Sequence, residues 1–134
     1  MSGRSPHIER LQADVPAVGA AVTASTAILE APYAGTVTAV SYTPIANMTG
    51  DTTNTRTFTL VNKGADGNGT TVIATRAMIT SVNATDFNED ALTLSVVEGA
   101  TTIAEGDILA WVSTHAASGL ADPGGLVQVY VSRT

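Results

Sequence analysis

Three residues near the end of the chain carry the side chains of a hydrolytic triad. Ser113, His115 and Asp122 stand close together, at the end of one strand pattern and in the loop that follows it. A serine nucleophile needs a histidine base within hydrogen-bond reach, and the histidine needs an acid to orient it. Because triad members usually come from distant segments, closeness in sequence does not predict these contacts. We therefore interpret His115 as a polar loop residue and rank a small hydrolase last among the functions considered.

A second group of residues has the spacing with which an EF-hand calcium loop begins. Asp86, Asn88 and Asp90 alternate as oxygen ligands would. Such a loop needs glycine at its sixth position and glutamate at its twelfth, where this chain has Ala91 and Val97. The pattern fails at its two most restrictive places. We interpret these acids as the cap of a short helical turn and expect no metal site.

The rest of the chain offers few residues for catalysis. It contains no cysteine, which excludes disulfides, zinc-cysteine sites and thiol nucleophiles. The stretch Asn62–Gly69 lacks the spacing of a phosphate-binding loop and is typical of a hairpin, as is Asp66-Gly67-Asn68 within it. Trp111 stands in an alternating strand pattern, which favours a core position over a sugar-stacking platform. We expect no enzyme activity, no cofactor, and no catalytic, cofactor-binding or metal-binding residues.

Composition and charge limit the partners. The 134 residues are enough for one domain, with 44% hydrophobic and only 13% charged side chains. The net charge is −6, and the six basic residues are scattered, which argues against binding nucleic acid or an anionic membrane surface. No apolar run approaches the roughly 18–20 residues of a membrane span, and the first residues lack the pattern of a secretory signal. We expect synthesis in a cytoplasm.

The elements that must position these residues are predicted to be strands. Thr36–Thr43 and Thr55–Asn62 alternate with period two, and in the second Thr55, Thr57 and Thr59 face one way while Phe58 and Leu60 face the other. Further strands are predicted at 70–80, 91–97 (with Leu92, Leu94 and Val96 on one face), 108–113 and 126–132, with a helical turn at 83–90. Turn signals about every ten residues favour an all-β fold, an antiparallel β-sandwich or jelly roll.

The beginning of the chain is harder to interpret. Met1–Ala17 contains two prolines and few large apolar residues, so we predict an extended N-terminal arm, with a helical turn possible at Ile8–Leu11 and a frayed terminus as the alternative. The β-sandwich domain then covers 18–134. Within it, the alanines of Val18–Leu29 leave a helix as the alternative, but we interpret the segment as a strand because Thr, Val and Ile favour strands and because Gly19 weakens a helix.

Threonine-rich strands with little charge indicate surfaces that meet other proteins. Such faces are neither fully polar nor strongly apolar, and they pack well in sheets. The chain also lacks most of the Lys and Glu residues that usually keep sheet edges apart. We expect partner subunits, including copies of the chain itself, at these faces and edges. A weakly charged monomer is the alternative.

Several segments together resemble a family of small head proteins of tailed bacteriophages, the capsid decoration or cementing proteins. The similarity spans roughly residues 31–134 and is a pattern of strands and turns rather than a catalytic signature. The segments that carry it are Ala34–Tyr42, Asn54–Gly64, Ala91–Ser95, Glu105–Trp111 and Ala121–Val127.

This resemblance implies a structural protein on the outer surface of a phage capsid, bound to the major capsid protein and stabilising the shell. The turn Glu105–Leu109 is also similar to one in trimeric jelly rolls of the tumour-necrosis-factor type, and both resemblances imply a homotrimer. The chain departs from these patterns in its few aromatic residues, which usually line such trimer axes.

The alternative is a carbohydrate- or host-surface-binding module of a phage tail or fibre. Such a module would share the sandwich fold but would need a recognition site on its loops. The candidate loops are Pro44–Asn54, Asn62–Gly69 and Thr114–Gly125.

Overall fold

A computed structural model describes residues 7–134, which form an all-β domain without helices. The all-β antiparallel fold predicted from the sequence is confirmed. The strands in chain order are β1 (Ile8–Val15), β2 (Ala24–Glu30), β3 (Gly35–Pro44), β4 (Met48–Thr49), β5 (Thr55–Asn62), β6 (Thr71–Met78), β7 (Asn83–Ala84), β8 (Asp90–Ala91), β9 (Thr93–Leu94), β10 (Thr102–Ile103), β11 (Ile108–Ala116) and β12 (Gly125–Arg133).

Two five-stranded antiparallel sheets make up most of the domain. The first has the order β1-β12-β3-β10, with β8 also paired to β3, and the second has the order β2-β11-β5-β6-β9. Strands β4 and β7 form a small third sheet. We call the two large sheets the first sheet and the second sheet.

The core lies between the two large sheets. Tyr42 comes from β3 of the first sheet, whereas Phe58 and Trp111 come from β5 and β11 of the second. Their ring centroids lie 4.8 to 5.4 Å apart, which is the spacing of favourable aromatic contacts. Trp111 is only 2% exposed, so its predicted role as a core residue is confirmed. Its indole Nε1 has no hydrogen-bond partner among the described residues.

The alternation predicted for residues 55–62 is also confirmed. Phe58 and Leu60 are buried, and Thr55, Thr57 and Thr59 are half-buried on the opposite face. Arg56 shares the inward face with the two apolar residues and is fully buried.

Residues 8–15 correct the prediction of an N-terminal arm. They form neither an arm nor a helical turn but strand β1, which pairs with β12 from Ile8–Ser132 to Val15–Gly125. Leu11 packs against the core and Val15 is buried, which draws this segment onto the sheet. Residues 1–6 of the predicted arm lie outside the described residues.

The segment between β1 and β3 contains a shorter strand than predicted. Strand β2 begins only at Ala24, although the interpretation placed the strand from Val18. Val18 instead exchanges two backbone hydrogen bonds with Asp122, each 2.9 Å long. The residues after Val18 therefore form a loop that is attached to the far end of the chain.

The predicted helical turn at 83–90 and the predicted strand at 91–97 are both wrong in detail. Residues 83–84 form β7, and Asp90 belongs to β8. The strand then continues only as β9, after which Val96 is 99% exposed rather than on one face with Leu92 and Leu94. The amide of Ser95 makes the last backbone pairing with β6, to the carbonyl of Ile73, and the chain then turns, with the amide of Ala100 donating to the carbonyl of Val97.

Candidate functional site

A closed polar cluster lies at one end of the core, where sequence considerations suggested a triad. Ser113 on β11 donates its hydroxyl proton to Oδ2 of Asp122 at 2.9 Å, and Tyr42 on β3 donates to Oδ1 at 2.6 Å. Oδ1 also accepts from the amide of Gly124 at 3.0 Å. Both Ser113 and Asp122 are at most 2% exposed, so substrate has no access to them.

The guanidinium of Arg56 completes this cluster. Nη1 donates to Ser113 Oγ at 2.7 Å, and Nε donates to the carbonyl of Leu120 at 2.6 Å. Nη2 donates to three carbonyls, those of Gly19, Ala20 and Val22, at 2.8 to 3.1 Å. Arg56 therefore fastens the loop before β2 and the loop after β11 to the centre of the second sheet.

His115, interpreted from the sequence as a loop residue, lies instead in strand β11 and away from this cluster. His115 Nδ1 is hydrogen-bonded to Oγ1 of Thr23 at 2.9 Å, and the amide of His115 donates to the same oxygen. Within residues 7–134, no hydrogen bond joins His115 to Ser113 or Asp122. The structure brings Ser113 and Asp122 together but gives the serine an arginine neighbour instead of a base. An arginine that donates to Oγ cannot accept its proton, so this arrangement does not activate a nucleophile.

Burial controls the ionisation of this cluster. It lowers the pKa of the Arg56 guanidinium, an effect opposed by the negative charge of Asp122. Burial also raises the pKa of the Tyr42 hydroxyl, and the hydrogen bond to Asp122 raises it further. Tyr42 thus stays a neutral donor. Among the described side chains, Arg56 and Asp122 have no direct hydrogen bond and are linked through the hydroxyl of Ser113, which accepts from Arg56 and donates to Asp122.

Sequence reasoning missed Arg56, although a signal was present. Arg56 stands two residues before Phe58 and four before Leu60, so a strand with period two places it on the core face. A charge on that face requires buried partners, which the sequence does not identify.

The acidic run at 86–90 does not form a calcium loop. The carboxylate of Asp90 is held by Arg76, with Nε to Oδ2 at 2.8 Å and Nη2 to Oδ1 at 2.9 Å. Asp86 is exposed, and its amide donates to Oδ1 of Asn47. Among residues 7–134, no three His, Asp or Glu side chains come together as around a metal ion.

The hairpin at 62–69 forms as the sequence indicated. Asp66 Oδ1 accepts the amide of Asn68 at 3.0 Å, and Gly64 and Gly67 both have positive φ. The amide of Asn68 lowers the pKa of the Asp66 carboxyl. The side chain serves the turn itself.

A second polar cluster lies on the outward side of the first sheet. Glu89 accepts hydrogen bonds from the hydroxyls of Ser41 and Tyr130, the latter at 2.8 Å. These hydrogen bonds lower the pKa of the Glu89 carboxyl, and the positive charge of Arg10 adds to the effect. Gln128 Oε1 accepts from the hydroxyl of Thr43 at 2.8 Å and lies 3.3 Å from Ser41 Oγ, which extends the cluster across β12.

An open cavity of about 510 Å³ lies at the end of the first sheet, beside an exposed aromatic residue. Phe87 is 72% exposed and has φ of +59°, which is rare for a bulky residue. Its amide donates to the carbonyl of Pro44 at 2.8 Å, so the turn is fixed to the end of β3. Most of the remaining lining is apolar and includes Val15, Pro16, Ile45, Pro123 and Leu126.

No protein-family model, curated protein or solved structure matches this chain. Within residues 7–134 the structure contains no helix that could span a bilayer.

Proposed function

We propose that this chain is a structural, non-enzymatic decoration protein that binds the outer surface of a phage capsid and stabilises it. The proposal rests on one observation: the polar cluster of this protein is buried, whereas its outer surface is threonine-rich and accessible. Ser113, Asp122 and Arg56 are buried, and Ser113 is hydrogen-bonded to both of the others, in an arrangement that holds loops in place. The threonine-rich outward face of β5 remains available to a partner. The resemblance to decoration proteins supplies the partner class, the major capsid protein.

Decoration would stabilise a shell by adding interface area between capsid subunits. Each bound copy would span a joint between neighbours, so that separating them would also require breaking its own contacts. Protein surfaces with little charge suit this purpose because they lose little solvation when they are covered. Residues 1–6, which precede the edge strand β1, are the part of the expected arm that we still propose to contact the shell or a neighbouring copy.

Quantitative mass spectrometry of purified, DNA-filled particles of the encoding phage tests this function. We expect a ratio near one copy of this chain for each major capsid subunit. A ratio far below that value would indicate a vertex, tail or fibre component. Complete absence of the chain from the particles would overturn the proposal.

The cavity beside Phe87 favours one second candidate, a carbohydrate- or host-surface-binding module. An exposed aromatic ring next to a cavity is a typical platform for stacking the apolar face of a sugar. The cavity is lined by Ile45 and Pro123, which belong to two of the three loops proposed from the sequence. A glycan array probed with this chain and with Phe87→Asn tests the candidate. Hits that disappear in the variant would support it, and the absence of hits would count against it.

A further inference from the structure

Three side chains of the second polar cluster have the relative positions of a nucleophile, its base and an acyl group. Ser41 on β3 donates its hydroxyl proton to the carboxylate of Glu89. The same Oγ lies 3.3 Å from Oε1 of Gln128 on β12. A hydroxyl beside a base is the usual form of an activated nucleophile, and the side-chain amide of Gln128 is an acyl group that such a nucleophile can attack.

The single proton of Ser41 determines what its contact with Gln128 is. A serine hydroxyl has one proton and two lone pairs, and the proton of Ser41 is directed to Glu89. The side of Oγ that approaches Gln128 therefore carries a lone pair, which is the electron pair that attacks a carbonyl carbon. The carbon and oxygen of a carbonyl are about 1.2 Å apart, so Cδ of Gln128 lies within reach of this lone pair.

A second hydroxyl polarises the carbonyl of Gln128. Thr43 Oγ1 donates to Oε1 at 2.8 Å. Negative charge develops on this oxygen when a nucleophile adds to the amide carbon, and a donor that is already in place stabilises that charge. Among residues 7–134, Nε2 of Gln128 makes no hydrogen bond that would oppose its departure.

Ser113 also has a carboxylate neighbour, but it lacks the other parts of this arrangement. Its Oγ accepts a hydrogen bond from Nη1 of Arg56, which occupies a lone pair. Within the described part of the chain, Oγ of Ser41 accepts no hydrogen bond. Of these two serines, Ser41 is therefore the one whose oxygen is available for attack.

The strands hold the two side chains at a distance that an ester bond can span. Ser41 and Gln128 lie directly opposite each other in the antiparallel pair of β3 and β12. Opposite residues have Cβ atoms about 4.5–5.5 Å apart. An ester between them would follow the path Cβ–Oγ–Cδ–Cγ–Cβ, which spans about 5 Å when extended. The bond would therefore fit the sheet without a backbone shift.

Burial of both ends would protect such a bond. Ser41 is 3% exposed and Gln128 is 7% exposed. Water therefore has little access to the ester carbonyl, and exclusion of water prevents hydrolysis of a reactive product.

We propose that Ser41 and Gln128 form an ester bond that joins β3 to β12 covalently. Ser41 Oγ adds to Cδ of Gln128 while the hydroxyl proton passes to the carboxylate of Glu89. The Cδ–Nε2 bond then breaks, the proton passes from Glu89 to the departing nitrogen, and ammonia leaves. The geometry described above is that of the chain before the bond forms, so the hydrogen bond from Ser41 to Glu89 belongs to freshly folded protein.

This inference goes beyond the capsid-binding function. The reaction occurs once in each chain and requires no cofactor or second substrate, so it is a self-modification and not an enzyme activity. It would close a covalent loop between residues 87 positions apart in a chain without cysteine. A cross-link that closes a long loop restricts the unfolded chain, so the linked protein should be more resistant to unfolding than the unlinked one.

Mass spectrometry of the purified full-length chain, incubated after folding, tests the proposal. We expect an intact mass lower than that of the sequence by one ammonia. Trypsin should release residues 11–56 and 77–133 as one joined product, because Ser41 lies in the first peptide and Gln128 in the second. Fragmentation of this product should place the bond between these two residues. A wild-type chain that keeps the full sequence mass would overturn the proposal.

Peptide mapping also separates the ester from another loss of ammonia. Ring closure at Asn68, which precedes a glycine, would lower only the mass of the peptide 64–76. That result, with residues 11–56 and 77–133 released separately, would overturn the proposal. Mild alkali should hydrolyse the joined product and convert Gln128 to glutamate. A joined product that resists alkali is not an ester and would also overturn the proposal.

Variants assign the roles of the side chains. Ser41→Ala removes the nucleophile and Glu89→Gln removes the base, so both should keep the full sequence mass while circular dichroism shows native sheet content. Both should unfold at a lower urea concentration than the linked wild type. Thr38→Ala is the matched control, because it removes an exposed hydroxyl from the same strand, and it should still become linked. A linked product in Ser41→Ala or Glu89→Gln would overturn the proposal.

Discussion

Ser113 and Asp122 are joined directly, Oγ to Oδ2 at 2.9 Å, with no histidine between them. In a hydrolytic triad the histidine stands between the serine and the acid, and it takes the serine proton. Here the serine hydroxyl donates a hydrogen bond to the carboxylate and accepts one from Arg56. The cluster therefore connects strands and loops, and its role is to stabilise the folded domain.

Replacing the buried arginine should destabilise the fold strongly. Arg56→Met leaves the Asp122 carboxylate buried without its opposite charge and leaves the carbonyls of Leu120 and Gly19 without a donor. Each buried acceptor left without its donor costs about 1–3 kcal/mol, and Arg56 serves several of them. Urea unfolding should show this loss, whereas Arg10→Lys, at an exposed site, should change the free energy of unfolding by less than about 0.5 kcal/mol. An Arg56→Met protein as stable as the wild type would contradict this account of the cluster.

Removing the hydroxyl of Ser113 tests whether this residue stabilises the fold or takes part in catalysis. Ser113→Ala deprives Nη1 of Arg56 of its acceptor and Oδ2 of Asp122 of a donor, which should cost about 1–3 kcal/mol. His115→Ala removes an exposed contact to Thr23 and should cost less. Unfolding curves check the stabilities. An esterase or glycosidase activity in the wild type that both variants lose would restore the hydrolase hypothesis.

Glu89 should make the stability of the protein depend on pH on the acid side. The hydroxyls of Ser41 and Tyr130 hold the pKa of its carboxyl below the ordinary 4.5. A depressed carboxyl pKa stabilises the fold above the unfolded pKa, and the stabilisation is lost as pH falls through the folded value. Since Glu89 is exposed, the effect on stability is small, and NMR titration of the carboxyl is the better measurement. The Glu89 pKa should rise towards 4.5 in Ser41→Ala. An unchanged Glu89 pKa in that variant would show that the hydrogen bond is not the cause.

The sequence predicts best where one strand carries its own pattern. Residues 55–62 alternate apolar and hydroxyl side chains, and this local signal determines which face of β5 is buried. Strand β1 lacks such a signal because its inward positions include the small Ala13 and the charged Glu9. Its pairing with β12 joins residues more than a hundred positions apart, which no local pattern encodes.

The polar cluster likewise depends on contacts between distant residues, which a local sequence pattern does not encode. Ser113 and Asp122 are conspicuous in the sequence because they resemble parts of a triad. Their actual partners, Arg56 and Tyr42, come from two strands of different sheets. Local spacing therefore draws attention to two members of the cluster, together with His115, which does not belong to it, and gives no sign of Arg56 or Tyr42 as their partners.

Two truncations should separate strand β1 from the residues before it. Deleting residues 1–17 removes β1, together with the buried Val15 and the core contact of Leu11. At about 1.5–3 kcal/mol for each buried side chain, the loss should be at least about 3 kcal/mol. Deleting residues 1–6 leaves β1 in place, so thermal unfolding should be nearly unchanged. Capsid binding should fall in both, and normal binding by the shorter truncation would remove residues 1–6 from the proposed interface.

The strained turn at Phe87 should be relieved by a residue that tolerates positive φ. Asparagine adopts φ near +60° at lower cost than a bulky residue, and strain of this kind amounts to about 1–3 kcal/mol. Because the ring is 72% exposed, Phe87→Asn gives up little burial and should raise the thermal midpoint. Phe87→Ala removes the ring without relieving the backbone, so it is the matched control and should not gain stability. If the thermal midpoint of Phe87→Asn equals that of the wild type, the turn is not strained. If the midpoint is lower, the ring of Phe87 stabilises the cavity wall beside Ile45 and Pro123.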